Sequence, residues 1–81
     1  MTNVTFGKLD RMLRGLGFTA SDTPTGTRVY QHAPSGAEVY LPRQDAGQLV
    51  KPHHVLTAQV ALDDFGVLAE RDFEARLQTA G

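Results

Sequence analysis

The chain has 81 residues, no cysteine and a formal net charge of −1 at pH 7. A single small domain of this length withdraws only roughly 60–65% of its unfolded surface from water, and the lack of cysteine excludes disulfides and thiolate metal sites. The near-neutral balance is unlike the strong basic excess of a dedicated nucleic-acid binder.

Thr5 is an N-cap candidate for a first helix. Leu9, Met12, Leu13 and Leu16 follow the i, i+3, i+4, i+7 spacing of one buried stripe, with Lys8, Asp10, Arg11 and Arg14 off it. Gly15 weakens the last turn. Gly17 suits the left-handed residue just past a helix end, and Phe18 can fold back onto that turn. Residues 19–26 are polar, with Pro24 and Gly26 as turn signals, and their first half suits a short edge strand.

Thr27 to His32 is a firmer strand. It alternates Thr27, Val29 and Gln31 on one face with Arg28, Tyr30 and His32 on the other. Ala33-Pro34-Ser35-Gly36 is a turn, Ala37 to Leu41 a further strand, and Pro42 its end. Residues 43–49 form a loop. Pro52 suits the first turn of a second helix, where its missing N–H has no partner to lose. Val55, Ala58, Leu62 and Phe65 carry that helix's stripe, and Gly66 stops it. Leu68, Phe73 and Leu77 indicate a third helix over about 68–78, with Phe73 and Leu77 as an i, i+4 pair.

These periods share one apolar interior: Leu9, Met12, Leu13, Leu16, Phe18, Val29, Val39, Leu41, Val55, Leu62 and Phe65. The tail helix either caps this small domain or packs on a second copy. Charge is uneven along the chain, +2 over residues 1–54 and −3 over residues 55–81. No apolar run approaches the ~20 residues that span a bilayer. The first six residues lack the basic and apolar regions of a signal peptide, so the expectation is a cytoplasmic protein without membrane contact.

The order and spacing of several short motifs resemble those of the HicA family, also called YcfA-like: small RNA-binding toxins that cleave messenger RNA. The similarity runs from about Phe6 to Val67. Leu16-Gly17-Phe18 looks like the family's Gly-aromatic helix ending, and Gly26-Thr27-Arg28-Val29-Tyr30 falls where the family has Gly-Ser/Thr-His and an apolar strand. Val39-Tyr40-Leu41-Pro42 resembles its Val-x-Val-Pro strand, Leu49-Val50-Lys51-Pro52 its entry into the second helix, and Phe65-Gly66-Val67 its closing Ala-Gly-Leu. The resemblance implies an α+β, double-stranded-RNA-binding-domain-like fold, α-β-β-β-α, here with an extra C-terminal helix. It makes residues 1–81 one domain, with core 5–67 and helical extension 68–81. It also implies RNA, a HicB-like antitoxin or another protein as partner; the tail helix and the open sheet edge add a homodimer as a separate expectation.

Three departures stand out. Arg28 occupies the position of the family's catalytic histidine, the second helix is about one turn longer, and the tail has no family counterpart. A histidine can act as general base toward a ribose 2′-OH; a guanidinium stays protonated and cannot. His32 lies on the same strand face, but about 13 Å farther along. It is the catalytic candidate only if the site has been rearranged.

Without catalysis, the expectation is a binding domain for RNA or a protein. A protein-interaction or structural module with no nucleic-acid role is the other reading. The residues for RNA contact are Arg28, Tyr30, His32, Arg43 and Lys51. Arg28 suits a phosphate fork or a cross-strand pair with a carboxylate such as Glu38. Tyr30 and Tyr40 suit base stacking or ordinary sheet packing. No cofactor or metal is expected. Adjacent His53 and His54 point about 100° apart on a helix, unlike the i, i+4 spacing of zinc-binding pairs, and suit a helix entry with one ring partly buried. Asp63 and Asp64 sit unfavourably at a helix C-terminus, which points to a solvated acidic surface or a basic partner.

Overall fold

The computed structural model describes residues 4–79. Helix α1 (Phe6–Gly15) begins where Thr5 is extended and its Oγ1 accepts the Lys8 N–H at 3.3 Å, a side-chain cap on a donor the helix leaves unpaired. It ends at Gly17, whose φ of 100° is open to glycine but strained for other residues. The Gly17 N–H then donates to Arg14 O and the Phe18 N–H to Leu13 O. Both freed carbonyls are thereby satisfied, and Phe18 is turned into the core.

Strands β1 (Thr19–Asp22), β2 (Thr27–His32) and β3 (Ala37–Pro42) form an antiparallel meander in the order β1-β2-β3. Helix α2 (Pro52–Asp64) starts with Pro52 in its first turn and Lys51 as N-cap, and closes on Gly66 as α1 does on Gly17. Helix α3 (Glu70–Thr79) follows. The described architecture is thus α+β, with α-β-β-β-α followed by an added helix. No helix is long and apolar enough to cross a membrane among the described residues.

The helices pack on one face of the sheet, α2 against β3 and α3 against both α1 and α2. The core holds Leu9, Met12, Leu13, Phe18, Val39, Leu41 and Leu62 as the periodicity predicts. It also takes Val4, Phe6, Tyr30, Ala37, Val50, Ala58, Phe73 and Leu77. Phe73 and Leu77 point inward, so the tail helix caps the domain.

The sequence-based face assignment of β2 is inverted. Tyr30 pairs with Val39 and Ala20 on the helix side, whereas Val29 pairs with Tyr40 and Ser21 on the open face. Tyr30 is fully buried and Val29 only half-buried. Register couples the whole strand, so Arg28 and His32 turn toward the helices with Tyr30. Two further expectations shift at helix ends. Leu16 and Val55 lie half-buried at the rim of the core, and Phe65, the C-cap of α2, is 49% exposed because the helix ends there.

One contact has no signature in the periodicity. The segment before α1 runs beside the loop entering α2: Thr5 bridges Leu49, Val50 N–H donates to Val4 O, and Phe6 N–H to Gln48 O. These bonds satisfy backbone groups that would otherwise be buried unpaired, and they carry Val4 and Val50 into the core.

Candidate functional site

Because β2 turns Arg28, Tyr30 and His32 toward the helices, Arg28 and Tyr30 are built into a polar network with α1 and β1. The Arg28 fork meets Asp22 on β1 through Nε at 2.7 Å and Nη2 at 3.2 Å, while Nη1 reaches Asp10 on α1 at 3.3 Å. Its Cζ lies 5.4 Å from the centre of the Phe6 ring, within the range of a cation–π contact. The Tyr30 hydroxyl donates to Asp10 Oδ1 at 2.6 Å, and Arg14 Nε donates to Asp10 Oδ2 at 3.0 Å. Arg43, just past β3, approaches Asp22 at 3.5 Å.

Three guanidiniums therefore share two carboxylates, and the network ties α1 to the sheet. The hydrogen bonds with Asp22 above all raise the Arg28 pKa still further, so the side chain stays charged. In return Arg28 holds the Asp22 carboxyl below its ordinary range. Burial first, and then the bond to Asp10, pushes the Tyr30 phenol well above its usual value.

This geometry corrects two readings of the strand. The cross-strand partner of Arg28 is Asp22, with Asp10 from α1. Glu38 lies on the opposite face, held by Gln31 Nε2 at 2.9 Å and the Tyr40 hydroxyl at 3.2 Å. Tyr30 cannot serve as a stacking platform, since its ring is covered by the helices. Tyr40 is exposed, but on the open face, so the two tyrosines make no common surface.

His32 sits at the far end of β2. Its Nδ1 is 2.7 Å from Ser35 Oγ, which also accepts the Ala37 N–H at 3.1 Å. Its ring packs 5.0 Å from that of Phe18. These contacts brace the turn after β2. His32 borders a shallow depression of about 340 Å³ with Gly17, Gln31 and Glu38. The five expected RNA contacts thus divide: Arg28, Tyr30 and His32 on the helix side of β2, Arg43 beyond β3, and exposed Lys51 at the start of α2.

Beside Lys51, the His53 and His54 rings lie 4.1 Å apart, His53 exposed and His54 partly buried. Burial, followed by the fields of His53 and Lys51, pushes the His54 pKa down. Among the described residues no three histidines or carboxylates are grouped to hold a metal ion.

The feature that the sequence reading passed over is apolar. A groove of about 720 Å³ runs along α2 and α3, lined by Val4, Leu49, Val50, Val55, Leu56 and Phe73 with polar groups at its rim. Leu56 and Val60 are 56% and 48% exposed on the side of α2 away from the sheet. The signal was present: Val55, Leu56, Ala58, Val60, Ala61 and Leu62 make α2 apolar nearly all round, where a helix covering a core from one side needs a single stripe. The chain matches no protein-family model, no curated protein and no solved structure.

Proposed function

We propose that this chain is a HicA-like domain of double-stranded-RNA-binding-domain type that has lost catalysis and acts in the cytoplasm as a protein-binding module. The observation that carries this reading is the contrast between its two surfaces. Arg28, at the position of the family's histidine, is engaged by two carboxylates, and the neighbouring Tyr30 ring is buried. The groove beside α2, by contrast, is open and apolar. A protonated guanidinium cannot act as a general base. Three of the five N–H donors of Arg28 already go to Asp10 and Asp22, and the two carboxylates beside it oppose the approach of a phosphate.

Apolar surface beside a half-exposed Leu and Val is what a protein partner covers. RNA is the competing ligand. The test is a gel assay of the full chain with single-stranded and duplex RNA over a range of salt, with cleavage followed on the same gels. The expected result is no cleavage and only weak, nonspecific retention of RNA. Tight binding with a steep salt dependence that is lost in Arg43→Gln or Lys51→Gln would overturn the protein-binding reading. Cleavage that disappears in His32→Ala would overturn the claim of lost catalysis.

A further inference from the structure

We infer that α2 pairs with α2 of a second copy of this chain, the two helices running antiparallel across a twofold axis. The inference rests on the reading of the chain as a protein-binding domain and names its partner. At about 100° per residue, His53, Leu56, Val60 and Asp63 fall within roughly 80° of one another, on the side opposite the buried Ala58 and Leu62. All four are exposed.

Their spacing is self-complementary. Rotation about a point beside residue 58 sets Leu56 against Val60 of the other copy and His53 against Asp63. Each contact occurs twice, as a twofold interface requires.

The charges support the same arrangement. Lys51 and His53 stand at the N-terminal end of α2 and Asp63 and Asp64 at its C-terminal end, the reverse of what the helix dipole favours. Neither aspartate forms an ion pair among the described residues. An antiparallel copy places each acidic end beside the other helix's N-terminus and each basic end beside its C-terminus. Charge and dipole are thereby satisfied together, while Leu56 and Val60 leave water.

The contact is modest in size. A standard interface takes about 800 Å² from each partner, about one-sixth of the 4887 Å² of this domain. One thirteen-residue helix and its groove rim supply less than that. Dimerisation is therefore concentration-dependent.

The test is sedimentation equilibrium of the full chain from micromolar to millimolar concentration. The expected mass rises toward twice the 8.8 kDa of the monomer. Leu56→Asp and Val60→Asp, at positions already half-exposed, leave folding intact by circular dichroism and raise the dissociation constant at least about tenfold, because a carboxylate then sits unpaired in an apolar contact. Tyr40→Asp, on the open sheet face, leaves it unchanged.

Register is read by charge exchange. His53→Asp weakens self-association by setting two carboxylates opposite one another, and Asp63→Lys weakens it by removing the carboxylate that faces His53. An equimolar mixture of these two variants dimerises, because the new carboxylate of one then faces the new ammonium of the other while the remaining His53–Asp63 contact is kept. A monomer at every concentration, association indifferent to Leu56→Asp, or a mixture no more associated than its components would each overturn the inference. The gel assay with RNA reports independently on the protein-binding reading, so the two fail separately.

Discussion

Replacing Phe73 by alanine tests whether the tail helix is part of the folding unit. Phe73 is 3% exposed and packs with Leu77 into the interior shared by α1, α2 and the sheet. A buried aromatic withdraws roughly 150–250 Å² from water, worth about 4–6 kcal/mol at 25 cal/mol per Å². Alanine keeps a small part of that, and the surrounding helices relax only partly, so the expected loss is about 3–5 kcal/mol. A domain of 81 residues has about 4–12 kcal/mol in total, so Phe73→Ala removes a large share of it. At about 4–8 °C per kcal/mol, the melting temperature falls by at least about 12 °C. Thermal and urea melts followed by circular dichroism measure this. Phe73→Leu, which keeps an apolar side chain in the site, loses less. Melting of Phe73→Ala within about 3 °C of the parent would refute the reasoning, because it would mean that α3 adds nothing to the core.

Tyr30→Phe keeps the buried ring and removes only the donor to Asp10. A bond to a charged acceptor is worth about 1.5–3 kcal/mol, and Asp10 keeps Arg14 and Arg28, so a loss near about 1.5 kcal/mol is expected in urea melts; no change would mean that the bond is not formed in solution. Gly15→Ala and Gly7→Ala should differ in sign although both lie in α1. A methyl at Gly15 meets nothing within 4 Å and gains about 0.5–1 kcal/mol of helix propensity, whereas one at Gly7 lands 2.9 Å from Ala46 Cβ and 3.1 Å from Ala46 O, where overpacking costs about 1–3 kcal/mol. His54 should titrate below 6.5 by NMR. Its neutral form is favoured in the fold, so its contribution to stability is present above 6.5 and declines as pH falls toward the folded value. Lys51→Gln should raise the His54 pKa only partly, since burial is the larger cause; full recovery of 6.5 would assign the shift to charge instead.

Local signals in the chain located nearly every element. Thr5, Gly17, Pro52 and Gly66 mark helix ends because their chemistry acts within one turn. The bounds of β2 and β3 follow from alternation between turn residues, and β2 occupies the expected 27–32. The sequence also separated Arg28, Tyr30 and His32 from Val29 as two faces of one strand.

Which face is inside was settled only by tertiary pairing. Each face of β2 offers one apolar residue, so alternation alone cannot choose between Val29 and Tyr30. The helix-side choice buries the larger ring and gives its hydroxyl Asp10, twenty residues away in sequence, as acceptor. The same packing supplied Asp22 and Asp10 to Arg28 and made Arg28 and Tyr30, two of the five expected RNA residues, part of the bracing between α1 and the sheet. It also left Leu56 and Val60 outside. A helical wheel shows that α2 has more apolar surface than one stripe, but only docking against β3 and α3 shows which part stays in water. The difference is one of range: capping and turn preferences act within a few residues, whereas burial depends on groups that meet only when distant segments pack.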